Sequence, residues 1–224
     1  MEKIQLDEFL GHYYGFSSGI TTAQEEAIQQ VNHNRHREMS MRKIIDPRIV
    51  RRLDAGFARS NTVHPDTGRA LYSVCYASGT QNVFETGTYW GFSTAYLASA
   101  LKDKQGGKVY TFDIYQKAGN HIPKILMPHV EMHKGRPSTE MMPSVLAKVT
   151  PELFFQDSRH DYEGVKEELE VIAPHLKPNA VVMFHDFVES EVRRAADDVL
   201  SGYSIYVLDS SDVQQIGIAV NNKR

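Results

Sequence analysis

From Gln81 onward, short runs rich in β-forming residues alternate with segments of helical periodicity. This alternation is the sequence form of a βαβ chain, in which each helix crosses over and places the next strand parallel to the previous one. Seven strands are predicted, and they span Asn82–Glu85, Lys108–Asp113, Val130–His133, Leu153–Gln156, Ala180–His185, Ser204–Leu208 and Gln215–Val220. The predicted fold class is therefore α/β, with a Rossmann-like, doubly wound and mostly parallel sheet.

Helical patterns fill three of the gaps between these strands, at Phe92–Leu101, Thr139–Lys148 and Tyr162–His175. The last two strands are separated only by a few residues around Asp209 and Asp212, which is too short for a crossover helix. These two strands must form an antiparallel hairpin, so the last strand runs against the rest of the sheet.

Upstream of Arg69 the pattern changes to polar helices, predicted over Thr22–Met41 and Asp46–Phe57, with a turn at residues 64–68. We therefore divide the chain into an N-terminal helical appendage at residues 1–68 and an α/β domain at residues 69–224. The appendage either covers the active site or joins copies of the chain in a homo-oligomer, and the sequence does not choose between these roles.

The composition restricts the partners and the location of the protein. The formal net charge of -3 provides no field that attracts nucleic acid or anionic lipid. No apolar segment approaches the ~20 residues of a membrane helix, and the acidic start of the chain is unlike an export signal. The single cysteine, Cys75, lies in an apolar stretch typical of a buried residue. We therefore expect a cytoplasmic protein that acts on a small molecule, with neither nucleic acid nor a membrane as a partner.

The first predicted strand runs into a glycine turn, Thr86-Gly87-Thr88-Tyr89-Trp90-Gly91. In an open α/β sheet, ligands bind beyond the carboxyl ends of the strands, where backbone N–H groups are unpaired. Gly87 lets a ligand approach the backbone, and Gly91 relieves packing at the start of the next helix. The pattern Glu-x-Gly-x-x-x-Gly differs from the G-x-G-x-x-G of dinucleotide folds. A tight structural turn without a ligand is the alternative interpretation.

Two acidic residues end successive strands next to this turn, Glu85 on the first and Asp113 on the second. Glu85 would repel a pyrophosphate but would help to hold a cationic ligand that carries an amino acid. An acid in the position of Asp113 typically accepts hydrogen bonds from ribose hydroxyls. Together the two acids indicate a nucleoside with a positively charged, phosphate-free tail.

A second group of polar residues follows the fourth and fifth strands, with Asp157 and His160 after one, and His185 and Asp186 after the other. Parallel strands place these residues on the same rim as the glycine turn. A histidine suits the removal of a proton from a hydroxyl acceptor, and the two carboxylates suit a hard divalent cation. The alternative is that Asp157 and Asp186 cap the helices that follow them.

With these motifs, over about Leu71 to Val220, the sequence resembles the class I methyltransferases that use S-adenosylmethionine (SAM), in particular the metal-dependent sugar and natural-product O-methyltransferases. The resemblance implies a seven-stranded sheet with a reversed last strand. It implies that Asp113 holds the ribose and that Ser138 lies near the adenine. The other residues expected to bind the cofactor are Glu85, Gly87, Thr88, Tyr89, Gly91, Ser93 and Asp157.

The resemblance also implies roles for the second group, since the family's Asp-x-x-His element uses its Asp to bind Mg and its His as the base. These roles fall on Asp157 and His160. The family then has a Glu-Asp pair, whereas this chain has His185-Asp186. We expect Mg or another divalent cation at Asp157, His185 and Asp186, and the imidazole favours Zn, Fe, Ni or Mn. The alternative is that His185 is a second base or a substrate contact.

The expected function is the transfer of a methyl group from SAM to a hydroxyl of a small natural-product or sugar-like acceptor. Two other functions remain open from the sequence. One is a nicotinamide-dependent oxidoreductase on the same type of sheet, and the other is a catalytically degenerate methyltransferase fold that only binds its partners.

Overall fold

The computed structural model describes residues 2–14, 63, 65–188, 190–208 and 215–221. Its strands are β1 (Glu2–Ile4), β2 (Asn82–Thr86), β3 (Lys108–Asp113), β4 (Val130–Lys134), β5 (Leu153–Gln156), β6 (Val181–Phe184), β7 (Tyr203–Leu208) and β8 (Ile216–Asn221). Its helices are α1 (Leu6–Tyr14), α2 (Pro65–Ala77), α3 (Phe92–Asp103), α4 (Ser138–Leu146), α5 (Tyr162–Ile172) and α6 (Ser190–Val199), with short 3-10 helices at Lys124–His129 and Ala173–His175.

The eight strands form one sheet in the order β1-β7-β8-β6-β5-β2-β3-β4. Strand β8 runs antiparallel to both of its neighbours, and the other pairs are parallel. The predicted parallel sheet with a reversed last strand is thus confirmed. The eighth strand, β1, was not predicted, because three residues are too few to show an alternating pattern. It pairs with β7, with Glu2 opposite Tyr206, so the start of the chain extends the sheet.

Helices cover both faces of the sheet, which is the doubly wound arrangement. Side chains of α1, α2 and α3 form the core on one face, and side chains of α4, α5 and α6 form the core on the other. We call the core beneath α1, α2 and α3 the first core and the core beneath α4, α5 and α6 the second core. Because successive residues of a strand point to opposite faces, Phe154 packs in the second core and Phe155 in the first. Both rings are completely buried, and each burial stabilises the fold by roughly 1.5–3 kcal/mol.

Helix α5 follows β5 and packs tightly against the sheet. Asp161 caps its N-terminus, where the carboxylate accepts a hydrogen bond from Gly164 N at 2.9 Å. Val165, Leu169 and Ile172 recur at helical spacing and are completely buried against the sheet. The predicted helix is therefore confirmed, and its packing fixes the residues that lie between these apolar positions.

The N-terminal predictions are only partly accessible to the structure. The helices predicted over Thr22–Met41 and Asp46–Phe57 lie outside the described residues. The turn predicted at residues 64–68 is wrong from Pro65 onward, because α2 begins there and proline is favoured in the first turn of a helix. Among the helices that the structure describes, none is long and apolar enough to cross a membrane.

Candidate active site

A cavity of about 860 Å³ opens at the carboxyl ends of the parallel strands. This volume is within the range of sites for small molecules. Most of the predicted site residues lie on its wall: Gly87, Thr88, Tyr89, Ser93, Asp113, Ser138, Asp157, His160, His185 and Asp186. The structure therefore brings the glycine turn and the second polar group into a single cavity, whereas Glu85 and Gly91 lie outside its wall.

The glycine turn after β2 is held by two glycines in the left-handed backbone region, each with a φ of 90°. A Cβ atom on Gly87 would lie 2.0 Å from the backbone oxygen of Asp157, so only glycine allows this turn to contact the end of β5. A Cβ atom on Gly91 would lie 2.3 Å from the side chain of Ile122. Gly91 thus has the packing role expected at the helix start; it does not line the cavity, and its contact with the cofactor stays a prediction.

Asp113 ties the glycine turn to the end of β3. Its Oδ2 accepts a hydrogen bond from Tyr89 N at 2.7 Å, and its Oδ1 accepts one from Tyr115 N at 2.8 Å. Tyr89 has a φ of 44°, which is uncommon for a residue with a side chain. A carboxylate oxygen can accept more than one hydrogen bond. Asp113 therefore holds the turn in place and can still accept hydrogen bonds from a ligand in the cavity.

Glu85 is completely buried and does not lie on the cavity wall. Its Oε2 accepts hydrogen bonds from Thr94 Oγ1 at 2.5 Å and from Thr111 Oγ1 at 2.6 Å, while its Oε1 has no hydrogen-bond partner among the described residues. Burial raises the pKa of Glu85 to about 7, against the opposing effect of the hydroxyls of Ser93, Thr111 and Thr94. Glu85 thus lies behind the cavity wall, next to Ser93, which does line the cavity, and its assignment to the cofactor stays a prediction.

Asp157, His160, His185 and Asp186 lie close together, and we call them the acid–histidine cluster. His185 Nδ1 lies 3.0 Å from Asp157 Oδ1 and 3.2 Å from Asp186 Oδ2. His160 Nε2 lies 3.7 Å and 3.9 Å from the same two oxygens. Neither ring nitrogen of His185, nor His160 Nε2, has an aligned hydrogen-bond partner among the described residues. His185 Nδ1 and His160 Nε2 therefore lie within ion-pair distance of the carboxylate oxygens but without the alignment of hydrogen bonds.

The electrostatics of this cluster favour positive charge. Burial opposes the charged form of His185, but the carboxylates of Asp157 and Asp186 outweigh it and raise its pKa to about 10. Asp157 is also the main reason that the pKa of His160 is raised. His185 in turn lowers the pKa of Asp186, whose backbone is left-handed with a φ of 48°. The cluster therefore favours the ionised form of Asp186 and attracts a cation or a proton.

The donor set of the cluster fits a divalent metal ion. Ligands bound to one ion at about 2.1 Å lie roughly 3.0–3.4 Å apart, close to the separations in the cluster. Asp157, His160 and His185 each offer a donor atom within 4.8 Å of the others. The interpretation of Asp157 as a helix cap is wrong, because Asp161 caps α5. Asp157 is thus left available to a ligand.

A buried carboxylate that the sequence did not single out lies on α5. Glu168 is 3% exposed and lines the cavity. Its Oε1 accepts hydrogen bonds from Ser138 Oγ and from Ser158 Oγ, the latter at 2.7 Å. Its Oε2 accepts from Thr86 Oγ1 at 2.9 Å and Gln156 Nε2 at 3.4 Å. Burial raises the pKa of Glu168 against these contacts. We call these five residues the Glu168 network.

Aromatic and apolar side chains surround the mouth of the cavity. Tyr89, Trp90, Ile114 and Tyr115 line it and are 37–61% exposed. The Trp90 ring lies 4.7 Å from the ring of His121. Large exposed apolar side chains at a cavity mouth provide a surface for a ligand.

Residues 84–187 match a protein family described as "Methyltransferase domain". The matched region begins within β2 and ends just after β6. It therefore contains the glycine turn, Asp113, the acid–histidine cluster and the Glu168 network. No curated protein sequence matches the chain significantly.

Solved structures share the fold at low sequence identity. The O-methyltransferase TomG from Streptomyces achromogenes, involved in tomaymycin synthesis and solved with SAM, is 17% identical, with a TM-score of 0.65 over 80% of this chain and 91% of its own. The O-methyltransferase from Bacillus cereus, solved with the product S-adenosylhomocysteine (SAH), is 18% identical, with a TM-score of 0.63 over 82% and 96% of the two chains. CalS11, a TDP-rhamnose 3′-O-methyltransferase of calicheamicin biosynthesis, is 18% identical, with a TM-score of 0.57 over 88% and 94%.

Proposed function

Because residues 84–187 match a methyltransferase domain, we propose that this chain is a class I SAM-dependent methyltransferase and that it methylates a hydroxyl of a small natural-product or sugar-like acceptor. One observation carries the proposal: a single cavity joins the glycine turn and Asp113 to a histidine flanked by two carboxylates. The oxidoreductase interpretation is set aside, because the family match is to a methyltransferase domain and the turn lacks the third glycine of a dinucleotide site.

The cofactor supplies a methyl group bonded to a positively charged sulfur. On the protein side, we assign Asp113 to the ribose hydroxyls, since both of its oxygens keep acceptor capacity beside the cavity. The turn residues on the wall, Gly87, Thr88, Tyr89 and Ser93, are assigned to the amino-acid part of the cofactor. Glu85 and Gly91 support these residues from behind, and Ser138 is assigned to the adenine.

The acceptor hydroxyl must lose its proton as its oxygen takes the methyl group. We assign this proton to the imidazole of His160, a residue that lines the cavity and whose Nε2 is buried without an aligned partner among the described residues. The carboxylates of Asp157 and Asp186 lie 3.7 Å and 3.9 Å from this nitrogen, so they stabilise the imidazolium that forms. Asp157 therefore acts on the base electrostatically.

We assign Asp157, His185 and Asp186 to a divalent cation, since His185 Nδ1 lies 3.0 Å from Asp157 Oδ1 and 3.2 Å from Asp186 Oδ2. A bound cation would orient the acceptor and lower its pKa. The imidazole of His185 favours Zn, Fe, Ni or Mn over Mg. Because His185 lies between the two carboxylates, it must give up any proton on Nδ1 before it can bind a metal.

Isothermal titration calorimetry with SAM and SAH tests the cofactor assignment. We expect both ligands to bind the wild-type protein and the Asp113→Ala variant to lose at least about tenfold in affinity, since it lacks the charged acceptor for the ribose. The matched control is Asp197→Ala, at an exposed aspartate on α6, which should bind as the wild type does. Absence of binding at millimolar SAM and SAH would overturn the proposal.

Turnover is tested by incubation with SAM and a set of hydroxyl-bearing acceptors, measured as release of SAH. A protein that binds SAM but methylates none of them would favour the binding-protein interpretation. Metal binding has its own measurement, titration with Mg²⁺, Mn²⁺, Zn²⁺ and Co²⁺, with Co²⁺ followed by its visible absorption. The His185→Asp variant should shift the preference towards Mg²⁺, because it replaces a nitrogen ligand with a carboxylate.

The N-terminal segment has two parts in this proposal. Residues 2–14 belong to the sheet and its first core, through β1 and α1. Of the remaining residues up to position 68, the structure describes only Val63 and residues 65–68. For this part we keep the two predicted roles, which are to cover the active site or to join copies of the chain. Sedimentation of the full chain with and without SAH distinguishes them, because only the second role requires an oligomer.

A further inference from the structure

We propose that Glu168 makes the cofactor pocket selective for a base that carries an amino group, by directing the hydroxyl hydrogens of Ser138 and Ser158 away from the ligand. This inference rests on the proposed binding of SAM. Glu168 is a positioning residue in it, since it acts on the ligand through the two serines.

The hydrogen bonds to Glu168 converge from several parts of the site. Ser138 is the first residue of α4, Ser158 follows β5 and Thr86 ends β2. Their hydroxyls all lie at hydrogen-bond distance from the carboxylate, and Ser158 contacts both oxygens, at 2.7 Å and 2.8 Å. Since Glu168 is 3% exposed, these contacts and that of Gln156 take the place of water around the carboxylate.

The donor and acceptor inventory fixes how these hydroxyls are oriented. A serine hydroxyl has one hydrogen and two lone pairs, and an ionised carboxylate can only accept. Both serine hydroxyls must therefore donate their hydrogen bond to Glu168. The lone pairs of the two serine oxygens are then left to face the cavity. A protonated carboxyl has a single hydrogen, so even this form could reverse only one of the contacts. The two serines thus present a surface of acceptors.

The position of these serines places them beyond the ribose assigned to Asp113. The loop that leads from β4 into Ser138 is tied to the end of β3, since Gly135 N donates to the backbone oxygen of Asp113 at 2.9 Å. Both serines line the same cavity as the Asp113 carboxylate. A nucleoside whose ribose hydroxyls bind Asp113 therefore has its base within reach of Ser138 and Ser158.

An acceptor surface distinguishes two bases of nearly equal shape. Adenine carries an exocyclic amine that donates hydrogen bonds, whereas hypoxanthine carries a carbonyl that accepts them. The adenine amine donates hydrogen bonds to the serine lone pairs. The hypoxanthine carbonyl faces other acceptors, so neither it nor the serine oxygens gain a hydrogen bond. A site built to hydrogen-bond one group rejects the analogue that lacks it, because its own polar atoms are left without partners.

The test compares the binding of SAH and of its deaminated analogue, S-inosylhomocysteine, by calorimetry. We expect the wild-type protein to prefer SAH by at least about tenfold. In Glu168→Gln the amide NH₂ can donate to a serine oxygen, which frees that hydroxyl hydrogen for the cavity. The preference should then fall to about threefold or less, mainly through tighter binding of the analogue.

The matched control is Glu170→Gln, the same change at an exposed position of α5, which should keep the wild-type preference. Ser138→Ala and Ser158→Ala provide a second measurement, and each should weaken SAH more than the analogue even if Glu168→Gln does not fold. An unchanged preference in a folded Glu168→Gln variant would overturn the inference, as would equal binding of both ligands by the wild type. If the wild type binds neither ligand, the proposed function itself fails.

Discussion

The acid–histidine cluster and the Glu168 network are two polar regions of one cavity, and each is built around carboxylates. In the Glu168 network both carboxylate oxygens accept aligned hydrogen bonds from neighbouring side chains. In the acid–histidine cluster the atoms come as close as 3.0 Å, yet three imidazole nitrogens have no aligned partner among the described residues. The carboxylate of the Glu168 network is thus satisfied by aligned hydrogen bonds, whereas these imidazole nitrogens of the acid–histidine cluster have at most ion-pair contacts within the described part of the chain.

This difference predicts that the two regions contribute differently to stability and to catalysis. A buried polar group that is fully hydrogen-bonded makes its surroundings rigid, whereas one that is left unpaired costs stability and persists where a ligand completes it. We therefore expect substitutions in the Glu168 network to act mainly on stability and recognition. Substitutions in the acid–histidine cluster should act mainly on catalysis and metal binding.

The largest expected effect is on turnover. His160→Gln should lower kcat by roughly 10²–10⁴-fold, the range for removal of a general base, while SAH affinity stays within about twofold of wild type. The measurement is steady-state kinetics with an acceptor identified in the screen, together with calorimetry of SAH. His175→Gln, at an exposed histidine, is the control and should retain full activity. A kcat within threefold of wild type in His160→Gln would remove His160 as the base.

The next effect is on stability. Glu168→Ala should lower the free energy of unfolding by about 3 kcal/mol, because it leaves the surrounding hydroxyls and the Gln156 amide without their acceptor. Chemical denaturation followed by circular dichroism gives this value. Glu170→Ala on the exposed side of α5 should change it by less than about 0.5 kcal/mol. Similar losses in the two variants would mean that the network contributes nothing beyond its surface charge.

Glu85 combines features of both regions, since one oxygen is paired and the other has no hydrogen-bond partner in the described part of the chain, and it gives a pH-dependent prediction. Its pKa is about 7 in the folded protein against an ordinary value of 4.5, so the folded state binds the proton more tightly. Its contribution to stability is therefore greatest below pH 4.5 and is lost as the pH rises through 7, by about 3 kcal/mol in total. Denaturation at pH 5 and pH 8 should show this loss in the wild type and a smaller one in Glu85→Gln. An equal loss in both proteins contradicts the assignment, and Glu163→Gln at an exposed site is the control.

The smallest effect is expected at Asp186. Asp186→Asn should change the free energy of unfolding by less than about 1 kcal/mol, because asparagine also tolerates the left-handed backbone at this position. The same variant should nevertheless weaken metal binding, which the titrations described above measure. A large loss of stability would show that the acid–histidine cluster is a structural network like that of Glu168.

Much of the fold could be predicted from the sequence, because its strands are short apolar runs that end at polar or turn residues. The bounds of Lys108–Asp113 and Leu153–Gln156 agree with the structure to the residue. Strand β1 could not be predicted, since three residues carry no pattern, and the start of α2 was taken for a turn because Pro65 and Gly68 suit both. Local sequence thus predicts elements well where they are long enough to show a period.

The site could be predicted less completely, because sequence shows which residues end strands but not which face a cavity. The residues after β5 and β6 converge as expected, but Glu85 and Gly91 support the wall from behind. Glu168 was missed because it lies in a run of charged residues that looks exposed. A signal for it existed, since it is three residues after Val165 and adjacent to Leu169, on the buried face of α5.

The contact between Gly87 and the backbone of Asp157 has a consequence for redesign of this protein. Because no side chain fits between them, the turn assigned to the cofactor is rigidly packed against the end of β5, which carries Asp157 and His160. A library that seeks new acceptors should keep position 87 as glycine and vary the exposed rim instead. Any larger residue there would displace the turn assigned to the cofactor and the strand end assigned to catalysis together, so we expect methyl-donor affinity and proton transfer to change together.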